Sequence, residues 1–376
     1  MPIHWVKELE KVSGSRVILR LDFNVPIENG QILDDFRITQ AVPTIQWFTS
    51  RGAKLIILAH IESKEKTLLP VARKLEQLGV RLVFCAGTLA DLARMAHDDT
   101  LPSVILFENI RRFPEEEKND VHFAEQVAHL GTLYVNDAFS VSHRSHASVV
   151  GIPRFLPSYG GLLLEKEVTS LSRAFYPPHP FVFILGGAKV STKMPLLRKF
   201  LHSADYVCVG GALANSFFKA KGWEVGNSVY EENVEGIEEM LKNPKLLLPE
   251  DVLVVGKNST QLRAANAVLQ GEVIVDVGPR TIIAFESVLR SSLFTLWNGP
   301  MGKYENDYGQ ATESLAKAVA MSGTFSMVGG GDTVAAIEHL NLMNKFGFVS
   351  TGGGAMLDFL ANETLPGIEA LKKFGK

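Results

Sequence analysis

Apolar runs rich in Val, Ile and Leu alternate with amphipathic segments from the start of the chain. Arg16–Leu21, Lys54–Ala59, Val80–Phe84, Val104–Phe107 and Leu133–Val135 read as strands. Ile38–Ser50, Leu68–Leu78, Leu89–Ala96 and Phe123–Leu130, with apolar positions three and four residues apart, read as helices. Near-continuous apolar strands separated by helices predict a parallel sheet covered on both faces, because each crossover lays its helix over the sheet. The second half repeats the scheme in Phe181–Leu185, Tyr206–Val209, Val252–Val255, Val273–Val277, Leu293–Trp297 and Thr324–Val328. Between the halves, Pro153 and Pro157 precede a helical period over Gly161–Phe175, which Pro177-Pro178-His179-Pro180 stops. The pattern predicts an α/β protein of two doubly wound parallel-sheet domains joined by a linker helix.

Length agrees with that division, since 376 residues exceed the roughly 250–300 at which one hydrophobic core stops growing. With 46% hydrophobic residues, 21% charged residues and a net charge of −3, the chain lacks the basic excess that duplex nucleic acid requires, so no nucleic-acid partner is expected. Cys85 and Cys208 fall in or just after apolar runs of different halves, at no metal spacing, and are expected reduced and buried. No stretch reaches the roughly 18–20 apolar residues that span a bilayer, and Met1-Pro2-Ile3-His4 opens no secretion signal. A cytoplasmic protein with no membrane partner is the expectation.

Charge and glycine are divided unevenly. Eleven arginines fall in residues 1–154 and five in the remainder, whereas 21 of 32 glycines follow Lys189. Guanidinium groups grip carboxylate and phosphate bidentately, and glycine turns at helix starts suit a nucleotide's phosphates. In open parallel sheets ligands bind beyond the carboxyl ends of the strands, so the residues after each strand carry the chemistry. In the second half these are Gly186-Gly187-Ala188-Lys189-Val190-Ser191-Thr192-Lys193, Gly210-Gly211-Ala212, Trp297-Asn298-Gly299-Pro300-Met301-Gly302 and Gly329-Gly330-Gly331-Asp332-Thr333. A Gly pair alone marks only a tight turn; four such loops in one half point to a phosphate site. The first is not a Walker P-loop, since Ser191 or Thr192 stands at the second glycine, and no GxGxxG follows the first strand of either half. Lys189 and Lys193 lie one helical turn apart, so both are placed to reach the same phosphates. Asp332 opens a helix, either as a plain N-cap or as a carboxylate holding Mg²⁺ of a nucleotide.

In the first half Arg20-Leu21-Asp22-Phe23-Asn24-Val25-Pro26 ends the first strand, Arg37 begins the next helix, and His60 ends the second strand. Glu108-Asn109-Ile110-Arg111 and Asn136-Asp137-Ala138-Phe139-Ser140-Val141-Ser142-His143-Arg144-Ser145-His146 end two more. A single arginine is commonly a surface residue with its stem packed; several at ligand-facing strand ends form an anion site. His143 and His146 have no third ligand at zinc spacing.

These segments, with Trp297–Glu305, Gly329–Thr333 and Ser350–Gly354, resemble in their order the signatures of the phosphoglycerate kinase family, over about Arg16 to Gly367. The resemblance implies two Rossmann-like domains and a hinge, with residues 1–158 binding the acid, 159–176 as linker helix, 177–355 binding nucleotide, and 356–376 packing back on the first domain. It implies 3-phosphoglycerate and 1,3-bisphosphoglycerate as substrates, ATP/ADP and Mg²⁺ as cofactors, and a monomer. By position, Asp22, Asn24, Arg37, His60, Arg111 and Arg144 would contact the acid, with Arg20, His143 and His146 in the surrounding basic patch. Lys189, Lys193, Gly187, Gly211, Asn298, Pro300, Glu305, Gly330, Gly331, Asp332 and Thr333 would line the nucleotide site, with Asp332 on Mg²⁺. Arg37, Lys189 and the helix starts at Gly331 and Gly354 would act on the transferred group.

One segment departs from the pattern. After His60 the family continues Leu-Gly-Arg-Pro and a longer loop, whereas this chain has Ile61-Glu62-Ser63-Lys64-Glu65-Lys66. Ser63 replaces the expected arginine, Glu62 brings the wrong sign to an anion site, and Lys64 or Lys66 offers compensation. Ser140-Val141-Ser142 replaces Gly-Thr-Ala, and Ala212 a third glycine. The departures leave two alternatives, a kinase for another small carboxylic acid and a catalytically silent nucleotide-binding paralogue.

Overall fold

A computed structural model describes residues 2–63, 66–188, 190–257, 259–306 and 308–375. Lys189, Lys64 and the side chain of Glu305, all singled out in the sequence, lie outside the described residues. The chain divides into two units, Met1–Ser170 with Asn362–Lys376, and Leu171–Ala361.

The first unit is built on a six-stranded parallel sheet in the order Val83–Cys85, Val104–Phe107, Lys54–Leu58, Arg16–Arg20, Leu133–Asn136, Ser158–Gly160. On one face Val17, Leu19, Leu55 and Ile57 pack with Ile45 and Phe48 of the helix Phe36–Thr49. Ile18 and Ile56 point to the other face and are buried as well, which is why these strands read as unbroken apolar runs. Chain order reverses beside Arg16–Arg20, which pairs with Lys54–Leu58 on one side and Leu133–Asn136 on the other. Such a reversal opens a crevice at the carboxyl ends of the strands.

The second unit has a six-stranded parallel sheet in the order Leu246–Leu247, Tyr206–Val209, Phe181–Leu185, Phe294–Asn298, Phe325–Gly329, Phe348–Val349. Its reversal lies between Phe181–Leu185 and Phe294–Asn298. Two runs expected in this sheet are elsewhere. Asp251–Val255 and Val273–Val277 flank Thr260–Ala264 in the chain and form with it a separate antiparallel sheet. An apolar run specifies a buried strand but not its partner; the short 256–259 link permits only a hairpin, because a parallel crossover needs a dozen or more residues. The edge strands Ser158–Gly160, Leu246–Leu247 and Phe348–Val349 are too short to carry a period.

The chain passes from the first unit to the second within the helix Leu162–Ser172, which ends in a 3₁₀ turn at Arg173–Phe175. The terminal helix Pro366–Phe374 belongs to the first unit, where Gly367 N donates to Ser142 O at 2.8 Å. Cys85 and Cys208 are buried free thiols. Among the described residues no helix is long and apolar enough to cross a membrane.

Candidate active site

Asp22 lies at the carboxyl end of the first strand of the first unit, at the point where chain order reverses. Its Oδ1 accepts from Asn24 N at 3.0 Å, and its Oδ2 accepts from the Ser140 hydroxyl. Arg37 Nη1 is 3.2 Å from Asp22 Oδ2 and donates to Asn24 O at 2.7 Å. His60 Nδ1 stands 3.4 Å from Asp22 Oδ1. Burial resists ionisation of Asp22, but the Arg37 charge, with the hydrogen bonds from Ser140 and Asn24, holds its carboxyl down at about 2. Burial pushes the His60 imidazole down to about 3 against the pull of Asp22, so His60 is neutral near pH 7 and the charges facing Asp22 are those of Arg37 and, more weakly, Arg20.

Three strand ends and one helix start thus meet around Asp22, and the remaining predicted residues fall into layers about them. Arg111 Nη1 pairs with Glu62, and its Nε lies 3.7 Å from Glu117 Oε1. His146 is half-buried; burial and then the Arg111 charge press it down to about 4. His143 is half-buried and Arg144 exposed. Arg20 lies beneath the site rather than on it. Fully buried, its Nε donates to Ser148 Oγ at 2.8 Å, and Ser148 in turn donates to Glu116 at 2.5 Å. Ser140 and Ser142, which looked like lesser departures, have defined partners. Ser140 binds Asp22, and the Ser142 hydroxyl donates to Ala138 O at 2.9 Å and accepts from Asn136 Nδ2 at 3.1 Å.

The altered loop is fastened rather than loose. Asn109 Nδ2 donates to Ile61 O at 2.8 Å and Lys66 O at 3.3 Å. The Glu108 carboxylate accepts from Thr67 Oγ1 at 2.6 Å and Leu68 N at 2.8 Å. Ser63 O accepts from Lys66 N at 3.0 Å, while the Ser63 hydroxyl is buried without a hydrogen-bond partner among the described residues. Sequence reasoning saw Glu108 and Asn109 only as neighbours of Arg111.

In the second unit the glycine turns pack on one another. Gly186 N donates to Asn298 O at 2.9 Å, Gly187 N to Pro300 O at 3.0 Å, and Gly211 N to Met301 O at 2.9 Å. A side chain at Gly186 would stand 2.1 Å from Pro300 O, so only glycine lets these two backbones approach. Gly330, at φ 102°, turns the chain into the helix Gly331–His339, whose first turn carries Asp332 and the buried Thr333. A second helix, Gly354–Asn362, follows Gly353 at φ 44°. The Lys193 amine lodges between the turns and donates to Gly186 O; burial lowers it to about 8, with Asp332 pulling the other way. Asn298 is buried, its Nδ2 3.8 Å from Met356 Sδ.

Beside these turns opens a cavity of about 340 Å³. Gly187, Gly211, Pro300 and Asp332 form one side, and Phe218, Val252, Ile274 and Val277 supply an apolar wall. Lys303, Asn306 and the buried Asp276 also reach it. Phe218, Asp276 and Asn306 come from separate stretches of chain, and no strand-end motif marked them. Glu231 was missed too. Its carboxylate accepts from Val190 N and Ser191 N at 2.9 Å each and caps the helix Val190–Ser203.

No group of three or more metal-ligating side chains occurs among the described residues. Asp332 at the cavity, next to a buried Thr333 hydroxyl without a hydrogen-bond partner among the described residues, fits Mg²⁺ delivered on a nucleotide, which binds through one or two carboxylates and the substrate's own phosphates.

The family model of phosphoglycerate kinase matches residues 6–363. Phosphoglycerate kinase of Moorella thermoacetica is 42% identical, with 97% of this chain and 98% of that protein covered. That of Coprothermobacter proteolyticus is 38% identical, with 99% of each covered. Among solved structures, phosphoglycerate kinase from Coxiella burnetii superposes with a TM-score of 0.83 at 37% identity, covering 100% of both chains. The enzyme from Pyrococcus horikoshii OT3 gives 0.87 at 30% identity, covering 99% of both. A likeness of this extent, carried over both sheets and nearly the whole chain, means that the chain belongs to the phosphoglycerate kinase family.

Proposed function

We propose that this chain transfers a phosphoryl group reversibly between ATP and the carboxylate of 3-phosphoglycerate, giving ADP and 1,3-bisphosphoglycerate. The observation that carries the reading is the Asp22, Arg37 and His60 constellation at the reversal point of the first sheet, in a chain that matches the family over nearly its whole length.

The nucleophile is a carboxylate, with an ordinary pKa near 4, so it is ionised near pH 7 and no general base is needed. A carboxylate oxygen bonds to the γ-phosphorus as the bond to the bridging oxygen breaks, ADP leaves with the electron pair, and no proton moves. Catalysis reduces to positioning two anions and neutralising the group between them. Arg37 is assigned to that group from the acid side and Lys189 from the nucleotide side, assisted by the helix starts at Gly331 and Gly354. Asn24, His60, Arg111 and Arg144 bind the acid, with His143 and His146 around them. Asp22 holds Arg37 in place, and Arg20 supports the floor. Lys193, Gly187, Gly211, Asn298, Pro300, Glu305, Gly330 and Thr333 receive the nucleotide, whose base suits the apolar wall of the cavity. Asp332 would hold Mg²⁺, which supplies charge neutralisation at the phosphates when bound. On the same reading residues 1–158 form the acid domain, 159–176 the linker and 177–355 the nucleotide domain, with 356–376 returning to the first, in a cytoplasmic monomer.

Steady-state kinetics in both directions test this. ATP should form from ADP and 1,3-bisphosphoglycerate, and Arg37→Ala should lower kcat about 10²–10³-fold with little change in KM for ATP. No ATP formation by the wild-type chain would overturn the reading.

A further inference from the structure

Two groups assigned to the acid, Asn24 and Arg111, are both engaged by one residue, Glu62. Its backbone N donates to Asn24 Oδ1 at 3.0 Å, Asn24 Nδ2 lies 3.5 Å from its Oε2, and Arg111 Nη1 donates to its Oε1. The contact is built into the loop. Asn109 fastens Ile61 and Lys66 on either side of Glu62, and Glu108 fastens Thr67 and Leu68, so the segment is tied to the strand end that carries Arg111. The Arg111 side chain is 13% exposed and that of Glu62 62% exposed. A carboxylate therefore reaches in from solvent onto a sunken guanidinium, the approach an incoming anion has to make. Because the Glu62 side of the pair is open to water, the pair is screened and an incoming anion can compete for Arg111.

We propose that Glu62 is a specificity-determining residue that stands in for the anionic group of the acid, occupying Asn24 and Arg111 until 3-phosphoglycerate displaces its carboxylate. The inference rests on the kinase reading above. Binding then exchanges one arginine–carboxylate pair for another, which discounts the contribution of Arg111, and the displaced carboxylate stays nearby as a like charge. Relative to the family's Leu-Gly-Arg-Pro, the loop has one positive charge fewer at Ser63 and one negative charge more at Glu62. Affinity for the acid is set lower at this loop, while chemistry at Arg37 is untouched.

Glu62→Gln keeps the shape and the backbone bond to Asn24 but removes the charge. It should lower KM for 3-phosphoglycerate about threefold to tenfold, with kcat and KM for ATP within about twofold of wild type. Glu62→Asp, which keeps the charge, should not reproduce the gain, and in an Arg111→Ala background Glu62→Gln should bring a smaller one. A loop with a merely structural role would leave KM unchanged or raise it, and either result in an active Glu62→Gln variant overturns the inference alone. A wild-type chain that does not turn over 3-phosphoglycerate overturns the kinase reading, and the inference with it.

Discussion

The Arg37 guanidinium lies 3.2 Å from the Asp22 carboxylate although Arg37 occupies the first turn of its helix, at the positive end of the dipole. A cation there is disfavoured by about 0.3–1 kcal/mol, and the carboxylates just before the helix are engaged elsewhere, Asp34 with Phe36 N at 2.8 Å and Asp35 with Lys74 at 2.5 Å. Asp22 supplies the offset from another strand end, and in return a buried carboxylate stays ionised. A pairing so unfavourable locally, held together only by the tertiary fold, is what a preorganised anion site requires.

Acid should be the weak direction for the first unit. Burial keeps His60 neutral in the folded protein down to about 3, while the unfolded imidazole protonates near 6.5, so stability falls as pH drops between those values. Asp22, held at about 2 against an unfolded value near 4, contributes stability that is lost as pH falls through that lower window, of order 2 kcal/mol. Urea unfolding from pH 7 to 2 should show both losses. His60→Asn should flatten the upper window and Asp22→Asn the lower one.

Ser63→Arg should lower KM for 3-phosphoglycerate about fivefold to tenfold, because a charge-assisted contact is worth roughly 1.5–3 kcal/mol and part of it is spent on moving Ser63 from its bond with Lys66 N. Steady-state kinetics with saturating ATP measure it. An unimproved KM would mean that Lys66 and its neighbours already replace the missing arginine.

Lys193→Met should raise KM for MgATP about tenfold or more and leave KM for 3-phosphoglycerate within about twofold. The amine donates to Gly186 O, so its loss also leaves that carbonyl without the donor and lowers stability by about 1–3 kcal/mol. Kinetics and thermal unfolding of the same variant separate the two effects.

Gly186→Ala should destabilise the second unit by about 2–4 kcal/mol, since the added carbon meets backbone at Pro300 O, which cannot swing aside as a side chain would. Chemical unfolding measures the loss, and ATP should restore part of it if the nucleotide binds across these turns.

Much of the architecture was legible along the chain. Val17–Leu19, Leu55–Ile57 and Phe181–Leu185 are apolar without a break because both faces of each sheet are covered, and burial writes itself directly into residue type. The strand-end motifs were equally local, since a glycine turn or an arginine must stand next to its strand to reach the crevice. Partner choice was not local. Asp251–Val255 and Val273–Val277 read as parallel strands but form an antiparallel sheet with Thr260–Ala264, because apolarity reports burial and not direction.

The sequence by itself determined the long apolar strands, the places of the glycine and arginine motifs after them, and the family. Only the tertiary structure decided which side chains meet: Ser140 on Asp22, Glu62 on Arg111, Glu231 on the Val190–Ser203 helix start, and the buried Arg20 on Ser148. The physical reason is range. Propensity and burial act on each residue through its own neighbours in the chain, whereas a hydrogen bond or ion pair joins groups that only the folded sheet brings within about 3 Å.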